Sequence, residues 1–192
     1  MRIIAGIHKN RRLFVPENDA IRPTSSRTRE SLFNVLMHGS FGGDCVIGAR
    51  VADICCGTGA LGFEALSRGA EHCSFVDSSR AALQLAEKNA KHLGVTNQCN
   101  FLHHDARKLP RIATPYDLIM TDPPYDDHGM ITALYSQLQL QGWLKEGTVL
   151  ATEVPSYTKE IALEGAEIAV ERRYGKAALC IWRVHTIIAK AS

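Results

Sequence analysis

From residue 50 onward, short apolar runs alternate with segments of helical pattern, and this alternation limits the possible folds more than any other feature. Runs of strand length lie at 51–56, 73–76, 99–103, 116–120 and 149–154, and helical patterns lie at 60–68, 79–93 and 130–140. Strands that alternate with helices form a parallel sheet with helices on both faces. Two further β-rich runs, 167–174 and 177–184, have no helix between them and predict an antiparallel hairpin. The sequence therefore predicts a doubly wound α/β fold whose ligands bind at the carboxyl ends of the strands.

Length and composition favour a single α/β domain with a small N-terminal extension. The chain has 192 residues, of which 45% are hydrophobic, and this is enough for one sizeable core. The net charge is only +2, but the first 30 residues hold seven basic and three acidic side chains and so carry +4. We place the extension at residues 1–40 and the main domain at residues 41–192.

The chain has no apolar run long enough for a signal peptide or a membrane span, which predicts a cytoplasmic protein without membrane contact. Its six cysteines form no C-x-x-C pair and have no histidine at metal-ligand spacing. We therefore predict buried free thiols, with neither a disulfide framework nor a bound metal.

The basic charge lies at the start of the chain, where residues 1–16 predict two short strands joined by a tight turn. A helix follows, and Ser25 or Ser26 can cap its N-terminus. Arg27 and Arg29 fall in its first turns, where the macrodipole disfavours cations, so an anionic partner is expected there. The hairpin is compatible with nucleic-acid binding and equally with a solvated edge hairpin protected by its charge.

A candidate site follows the run at 116–120, where the chain reads Asp122-Pro123-Pro124-Tyr125. Each proline fixes φ and removes an N–H donor, so the carbonyls of Asp122 and Pro123 remain available as acceptors. Acceptors beside an aromatic ring suit the exocyclic amine of a planar base, whose hydrogens they bind while the ring stacks. Such contacts localise the lone pair of the amine toward an electrophile. The alternative is an acidic turn with Tyr125 packed on the surface.

The run at 57–62, Gly-Thr-Gly-Ala-Leu-Gly, has the G-x-G-x-x-G spacing of a dinucleotide site, and Asp77 lies 20 residues after Gly57. However, Asp53 precedes this loop on the same predicted strand. A carboxylate there would repel a pyrophosphate and would suit a ligand that carries an ammonium and a sulfonium group. The pattern therefore favours S-adenosylmethionine over NAD.

Four acids on successive strand ends then receive separate roles. We predict that Asp53 lies by the methionine moiety, that Asp77 accepts from the ribose hydroxyls, and that Asp105 with His104 meets the adenine amine. Asp122 would face the acceptor amine. For each acid taken singly, capping of the next helix is the alternative.

Four segments, spread over nearly the whole chain, resemble one known family. They are the opening Arg-Ile-Ile-Ala-Gly, the Arg-Pro-Thr of 22–24 with Arg-x-Arg-Glu-x-Leu-Phe-Asn at 27–34, and the glycine loop continued to residue 69, together with Asp-Pro-Pro-Tyr at 122–125. The chain resembles the RsmD-type 16S rRNA guanine-N2 methyltransferases. The resemblance implies a class I S-adenosylmethionine-dependent methyltransferase fold (Rossmann-like), with a seven-stranded sheet, an antiparallel last strand and the strand order 3-2-1-4-5-7-6. Residues 41–192 would be the methyltransferase domain, and residues 1–40 its RNA-contacting extension.

The resemblance also implies the reaction, which is methyl transfer from S-adenosylmethionine to the N2 amine of guanine 966 in RNA of the small ribosomal subunit. Asp122 and the Pro123 carbonyl would hold the amine, and Tyr125 would stack on the flipped base. The cofactor would contact Asp53, Cys55, Gly57, Gly59, Asp77, His104, Asp105 and Asp122. RNA phosphates would contact Arg2, Lys9, Arg11, Arg12, Arg22, Arg27 and Arg29. No metal is expected, and the protein is expected to be a monomer.

The sequence departs from the family at two places. Cys55 and Cys56 replace the residues usual before the glycine loop, and Asp77 stands where relatives often have Glu, so its reach to the ribose is shorter. Two other functions remain open: methylation of another exocyclic amine, on DNA adenine N6 or on a protein glutamine, and RNA binding without catalysis as an assembly factor.

Overall fold

The computed structural model describes residues 1–16, 26–38, 41, 43–123, 129–158 and 161–187. Four α-helices and seven β-strands are formed within these residues. In chain order they are α1 (Ser26–Met37), β1 (Arg50–Ile54), α2 (Ala60–Ser67), β2 (His72–Asp77), α3 (Arg80–Leu93), β3 (Cys99–His103), β4 (Leu118–Thr121), α4 (Met130–Leu140), β5 (Val149–Pro155), β6 (Ala166–Tyr174) and β7 (Ala177–Val184).

The seven strands form one sheet in the order β3-β2-β1-β4-β5-β7-β6. The pairs among β1 to β5 are parallel, and β7 runs antiparallel to both β5 and β6. This confirms the doubly wound α/β sheet, its antiparallel last strand and the order implied by the resemblance. The dinucleotide-binding fold has the order 3-2-1-4-5-6, so the inserted antiparallel strand argues against the NAD interpretation.

The sheet has a hydrophobic core on each face. One core joins β-strand side chains to α1, α2, α3 and residues 1–16, and includes Phe33, Phe63 and Phe75. The other joins them to α4 and to the loops around Tyr116 and Trp143. Covered on both sides, the central strand β4 is buried along its whole length, as is usual for parallel strands.

Local signals set the ends of α3. The Ser79 hydroxyl accepts a hydrogen bond from the Ala82 N–H at 3.3 Å, and Gly94 ends the helix with φ of 77°. A side-chain cap and a left-handed glycine are the usual terminators of a helix. The sequence predicts a cap at Ser78 or Ser79 and a stop at Gly94, and the structure confirms Ser79 and Gly94.

Residues 1–16 form the predicted hairpin, but its two arms pair through one bridge and not as two regular strands. The Ile3 N–H donates to the Arg11 carbonyl and the Leu13 N–H to the Met1 carbonyl, both at 3.0 Å, around a single antiparallel bridge. Ile3 and Leu13 are buried in the core shared with α1. The extension therefore packs on the sheet domain, and its boundary at residue 40 stays a prediction.

All six cysteines are free. Cys45, Cys56, Cys73 and Cys180 are buried as predicted, whereas Cys55 and Cys99 are half-buried. In the part of the chain that the structure describes, no cluster of three or more His, Cys, Asp or Glu side chains could hold a metal ion.

None of the helices in the described ranges is both long enough and apolar enough to cross a membrane.

Candidate cofactor and amine site

Three acids meet at the carboxyl edge of the sheet because their strands are neighbours. Asp53 lies in β1 opposite Phe75 and Met120, whereas Asp77 ends β2 and Asp122 follows β4 directly. The parallel register therefore puts Asp77 and Asp122 beyond the end of β1, two residues further along than Asp53. This is the crevice where open α/β sheets bind ligands.

Asp53 is the most deeply placed of these acids, with 1% of its surface exposed. Its Oδ2 accepts a hydrogen bond at 2.9 Å from the N–H of Gly62, in the first turn of α2, where backbone donors lack intrahelical partners. Burial raises the pKa of Asp53 well above its ordinary value, the Gly62 N–H opposes this, and the charges of Asp122 and Asp77 raise it further. A cation bound in the crevice would relieve this repulsion.

The glycine loop approaches the sheet too closely for side chains. Gly57 and Gly59 have φ of 53° and 77°, a left-handed region that favours glycine. A Cβ at Gly59 would lie 2.6 Å from Phe63 Cε2, and a Cβ at Gly62 would lie 2.4 Å from Phe75 Cε1. These glycines therefore shape the loop and let α2 pack closely on β2.

Cys55 sits at the head of this loop, half-buried and with φ of 59°, which is uncommon for a residue other than glycine. Burial, with the nearby charge of Asp77, raises the pKa of its thiol to about 12. The thiol is therefore protonated at neutral pH, which argues against a nucleophilic role.

Asp77 ties the glycine loop to the start of α3. Its Oδ2 accepts from the Gly57 N–H at 2.9 Å, and its Oδ1 accepts from the Ser79 N–H at 2.8 Å. Each carboxylate oxygen can accept more than one hydrogen bond, so the half-buried group can still meet a hydroxyl. The ribose contact of Asp77 stays a prediction.

His104 and Asp105 follow β3, the neighbour of β2. The His104 N–H donates to the Asp77 carbonyl at 3.2 Å, which links the two strand ends. Asp105 is exposed, and its Oδ1 accepts from the Arg107 N–H at 2.8 Å, so it caps a turn. Their contact with adenine stays a prediction.

The acceptor side of the crevice is described up to Pro123. Asp122 is half-buried and Pro123 is buried, directly after the last residue of β4. Tyr125, predicted to stack on the base, and Arg22, predicted to contact RNA, lie outside the described residues.

The remaining predicted RNA contacts fall into two groups. The exposed members are Arg2, Lys9, Arg11, Arg12 and Arg27, and they can reach a phosphate backbone. Arg29 cannot, because none of its surface is exposed.

The prediction that Arg29 contacts RNA is wrong, since the protein uses its guanidinium internally. It donates to the Arg2 carbonyl at 2.8 Å, and its Nε lies 3.7 Å from Glu64 Oε2. Burial lowers the pKa of Arg29, and the charge of Glu64 opposes that shift. A basic residue in the first turn of a helix therefore indicated a carboxylate of this chain and not an external anion.

Glu64 was not assigned a role from the sequence. Its side chain is fully buried and accepts from the N–H groups of Ile4 at 2.8 Å and Ala5 at 3.0 Å, and from Arg68 Nε at 2.8 Å. The available signal was a charged residue inside an apolar helix, which is rare without a partner.

Asn89 was missed as well, and it links the N-terminal segment to the glycine loop. Its Oδ1 accepts from the Phe14 N–H at 2.7 Å, and its Nδ2 donates to the carbonyls of Phe14 at 3.1 Å and Thr58 at 3.0 Å. The side chain is fully buried, and its hydrogen bond to the Thr58 carbonyl is buried as well.

Comparison with known proteins agrees with this arrangement. The model of the family described as conserved hypothetical protein 95 matches residues 1–183. The ribosomal RNA small subunit methyltransferase D of Escherichia coli (strain K12) is 33% identical over 153 residues, which are 80% of this chain and 74% of that protein. A solved Escherichia coli structure, described as the methyltransferase YhhF, matches with a TM-score of 0.84 at 29% identity, over 96% of this chain and 98% of that chain.

A more distant structure agrees in fold. The RNA methyltransferase of Salinibacter ruber, solved in complex with S-adenosyl-L-homocysteine, has a TM-score of 0.65 over 88% of this chain and 98% of that chain. At 13% identity this likeness shows the fold alone. Together with the family match, it places the sheet among class I methyltransferases. The chain therefore belongs to the RsmD family of S-adenosylmethionine-dependent rRNA methyltransferases.

Proposed function

We propose that this protein transfers a methyl group from S-adenosylmethionine to the exocyclic N2 amine of a guanine in 16S rRNA, with guanine 966 as the expected target. The observation that carries the proposal is the position of Asp122. It follows β4 at the carboxyl edge of the sheet, and its charge acts on Asp53 in the neighbouring strand. An amine acceptor and a cofactor acid thus share one crevice.

The residues of this crevice fit the cofactor. Asp53 and Asp77 supply negative charge for a ligand with an ammonium and a sulfonium group, and Gly57 and Gly59 give the loop between them its left-handed turns. We assign Cys55, His104 and Asp105 to its remaining contacts. When bound, the cofactor supplies an electrophilic methyl group on a positively charged sulfur.

On the acceptor side, the Asp122 carboxylate and the Pro123 carbonyl accept the two amine hydrogens. This directs the nitrogen lone pair toward the methyl group, because a lone pair engaged in the ring is a poor nucleophile. Asp122 then holds the proton that the nitrogen must release after it gains the methyl group. Tyr125 stacks on the base, which has to leave its helix to reach the crevice.

Arg2, Lys9, Arg11, Arg12 and Arg27 bind phosphates and position the RNA. The E. coli relative is named for the small ribosomal subunit, so the substrate class is ribosomal RNA or the particle that contains it. We also propose that the enzyme is monomeric and cytoplasmic and that it needs no metal.

The direct test is incubation of labelled S-adenosylmethionine with small-subunit particles, and with their RNA, from cells that lack the enzyme. Digestion to nucleosides and mass spectrometry then locate the label. Label in N2-methylguanosine supports cofactor, base and atom together. Label in another nucleoside overturns the guanine assignment, and cofactor binding without any label favours an assembly factor.

The role of Asp122 is tested by Asp122→Ala. We expect methyl transfer to fall at least about 100-fold, because an acid that holds a reacting group typically contributes that much. RNA binding is expected to persist. Asp44→Ala, which removes an exposed acid in the turn before β1, is the control and should keep full activity. A normal rate in Asp122→Ala would remove Asp122 from the site.

A further inference from the structure

Beside the N-terminal hairpin, one exposed aromatic ring lies among basic side chains of α3. We call this group the Phe14 platform and define it as Arg11, Phe14, Lys88, Lys91 and His92. Phe14 and His92 make an edge-to-face contact with centroids 5.1 Å apart. The Lys88 ammonium lies 4.2 Å from the centroid of the Phe14 ring. None of these five residues has a part in the cofactor crevice.

The ring of Phe14 is exposed although its backbone is fixed. About 40% of the residue is accessible. Its N–H and its carbonyl are both hydrogen-bonded to the buried Asn89 side chain, which fixes the backbone of Phe14 from the core side. A rigidly held, exposed aromatic ring next to cations is the usual form of a platform for an unpaired base.

Among the described residues, no carboxylate pairs with the lysines around the ring. Lys88, Lys91 and His92 are exposed. The Arg11 guanidinium donates to the His92 carbonyl at 2.7 Å, which fixes it at the edge of the platform with further donors to spare. The surface therefore attracts a flexible anion.

The platform flanks the cofactor loop. The Asn89 amide that holds the Phe14 backbone also donates to the carbonyl of Thr58, between the two loop glycines. A nucleic-acid strand that stacks on Phe14 would therefore be separated from the glycine loop only by the buried side chain of Asn89.

We propose that the Phe14 platform binds an unpaired stretch of the substrate RNA close to the target nucleotide, with a base stacked on Phe14 and its phosphates on Lys88, Lys91 and Arg11. This inference rests on the proposed function, and it adds α3 to the surface that recognises the substrate. Stacking reads the face of a base and not its edge, so the platform selects single strands and tolerates different bases.

Two variants test the platform. Phe14→Leu keeps an apolar side chain and removes the stacking face, while Lys88→Glu reverses one charge at an exposed site. Arg172→Glu, on the exposed edge strand β6 at the opposite end of the sheet from α3, is the matched charge control. The probes are a short single-stranded RNA with the sequence around the expected target, and the same sequence closed into a duplex.

We expect Phe14→Leu to weaken binding of the single strand about ten-fold and of the duplex much less, since one stacked base contributes about that much. Lys88→Glu should weaken binding more than Arg172→Glu and lower the dependence of log affinity on log salt by about 0.7 for one lost phosphate contact on a single strand. The S-adenosylmethionine affinity of each variant should equal that of the parent.

Unchanged RNA affinity in both variants overturns the proposal, and so does equal weakening in Lys88→Glu and Arg172→Glu, which would reflect net charge alone. Equal losses on single strand and duplex in Phe14→Leu would exclude stacking. These binding measurements do not depend on which nucleoside is methylated, so failure of the platform and failure of the guanine assignment are distinguishable.

Discussion

At the scale of single residues, Asp53 is a buried carboxylate with an observed role in the fold and a proposed role in the site. It secures the start of α2 through the Gly62 N–H, and it lies in a crevice with two other acids whose charges oppose its ionisation. The apo protein therefore carries an electrostatic cost that a cationic ligand removes.

We predict that Asp53→Asn separates these two effects. The amide keeps an acceptor for Gly62 but cannot ionise. Because the pKa of Asp53 is higher in the native protein than in the unfolded chain, the native state binds more protons, and Asp53 reduces stability progressively as pH rises from about 4 through its raised pKa. The variant should match the parent in acid and be more stable at higher pH, while its affinity for S-adenosylmethionine falls about ten-fold.

Thermal unfolding over a range of pH without cofactor, and titration calorimetry with it, measure the two effects. A variant that is less stable than the parent at every pH would show that the hydrogen bond to Gly62 needs the charged oxygen and that repulsion in the crevice is minor.

At the scale of elements, α1 carries two arginines with opposite environments. Arg27 is exposed, whereas Arg29, two residues later, is buried against Glu64 of α2. A two-residue step on a helix turns the side chain by more than half a circle, so one helix presents one cation to solvent and one to the core.

We predict that the two arginines differ in what their loss affects. Arg29→Met should lower the free energy of unfolding by about 3 kcal/mol or more, because it leaves the buried Glu64 without one of its cations, and should leave the RNA affinity of the folded protein unchanged. Arg27→Met should weaken RNA binding several-fold and change stability by less than about 0.5 kcal/mol. Denaturant unfolding and RNA titration of both variants are the measurements, and a reversed pattern would restore Arg29 to the RNA surface.

At the scale of the whole molecule, the N-terminal segment is joined to the cofactor loop through residues far apart in sequence. Glu64 binds the backbone of Ile4 and Ala5, and Asn89 binds Phe14 and Thr58. The segment that carries the basic hairpin is therefore built onto the same two helices that begin at the cofactor crevice.

We predict that Asn89→Leu damages both regions at once. The substitution keeps the buried volume but leaves one N–H and two carbonyls unpaired, which should cost about 2–4 kcal/mol of stability and lower the affinity for S-adenosylmethionine. Asn100→Leu, at an exposed position of β3, is the control and should change neither quantity appreciably. Unfolding in denaturant and cofactor titration test this prediction. Unchanged cofactor binding would mean that the glycine loop keeps its conformation without the hydrogen bond from Asn89 to the Thr58 carbonyl.

The sequence by itself determined the elements of this protein and the position of its crevice. The bounds of β3 and α4 and both ends of α3 agree with the pattern, since periodicity, caps and glycine stops act over a few residues. Parallel pairing then had to bring the acids of successive strands to one edge of the sheet, so Asp53, Asp77 and Asp122 were predictable as neighbours.

Only the tertiary structure decided which polar side chains face inward and what they bind. Arg29, Glu64 and Asn89 find their partners across separations of up to 75 residues, and no local spacing encodes such a contact. The N-terminal hairpin forms only a single bridge for the same reason. The N–H groups of Ile4, Ala5 and Phe14 donate to the side chains of Glu64 and Asn89 and not to a paired strand. A local pattern fixes backbone conformation, whereas a buried polar group is fixed by the partner that the fold brings to it.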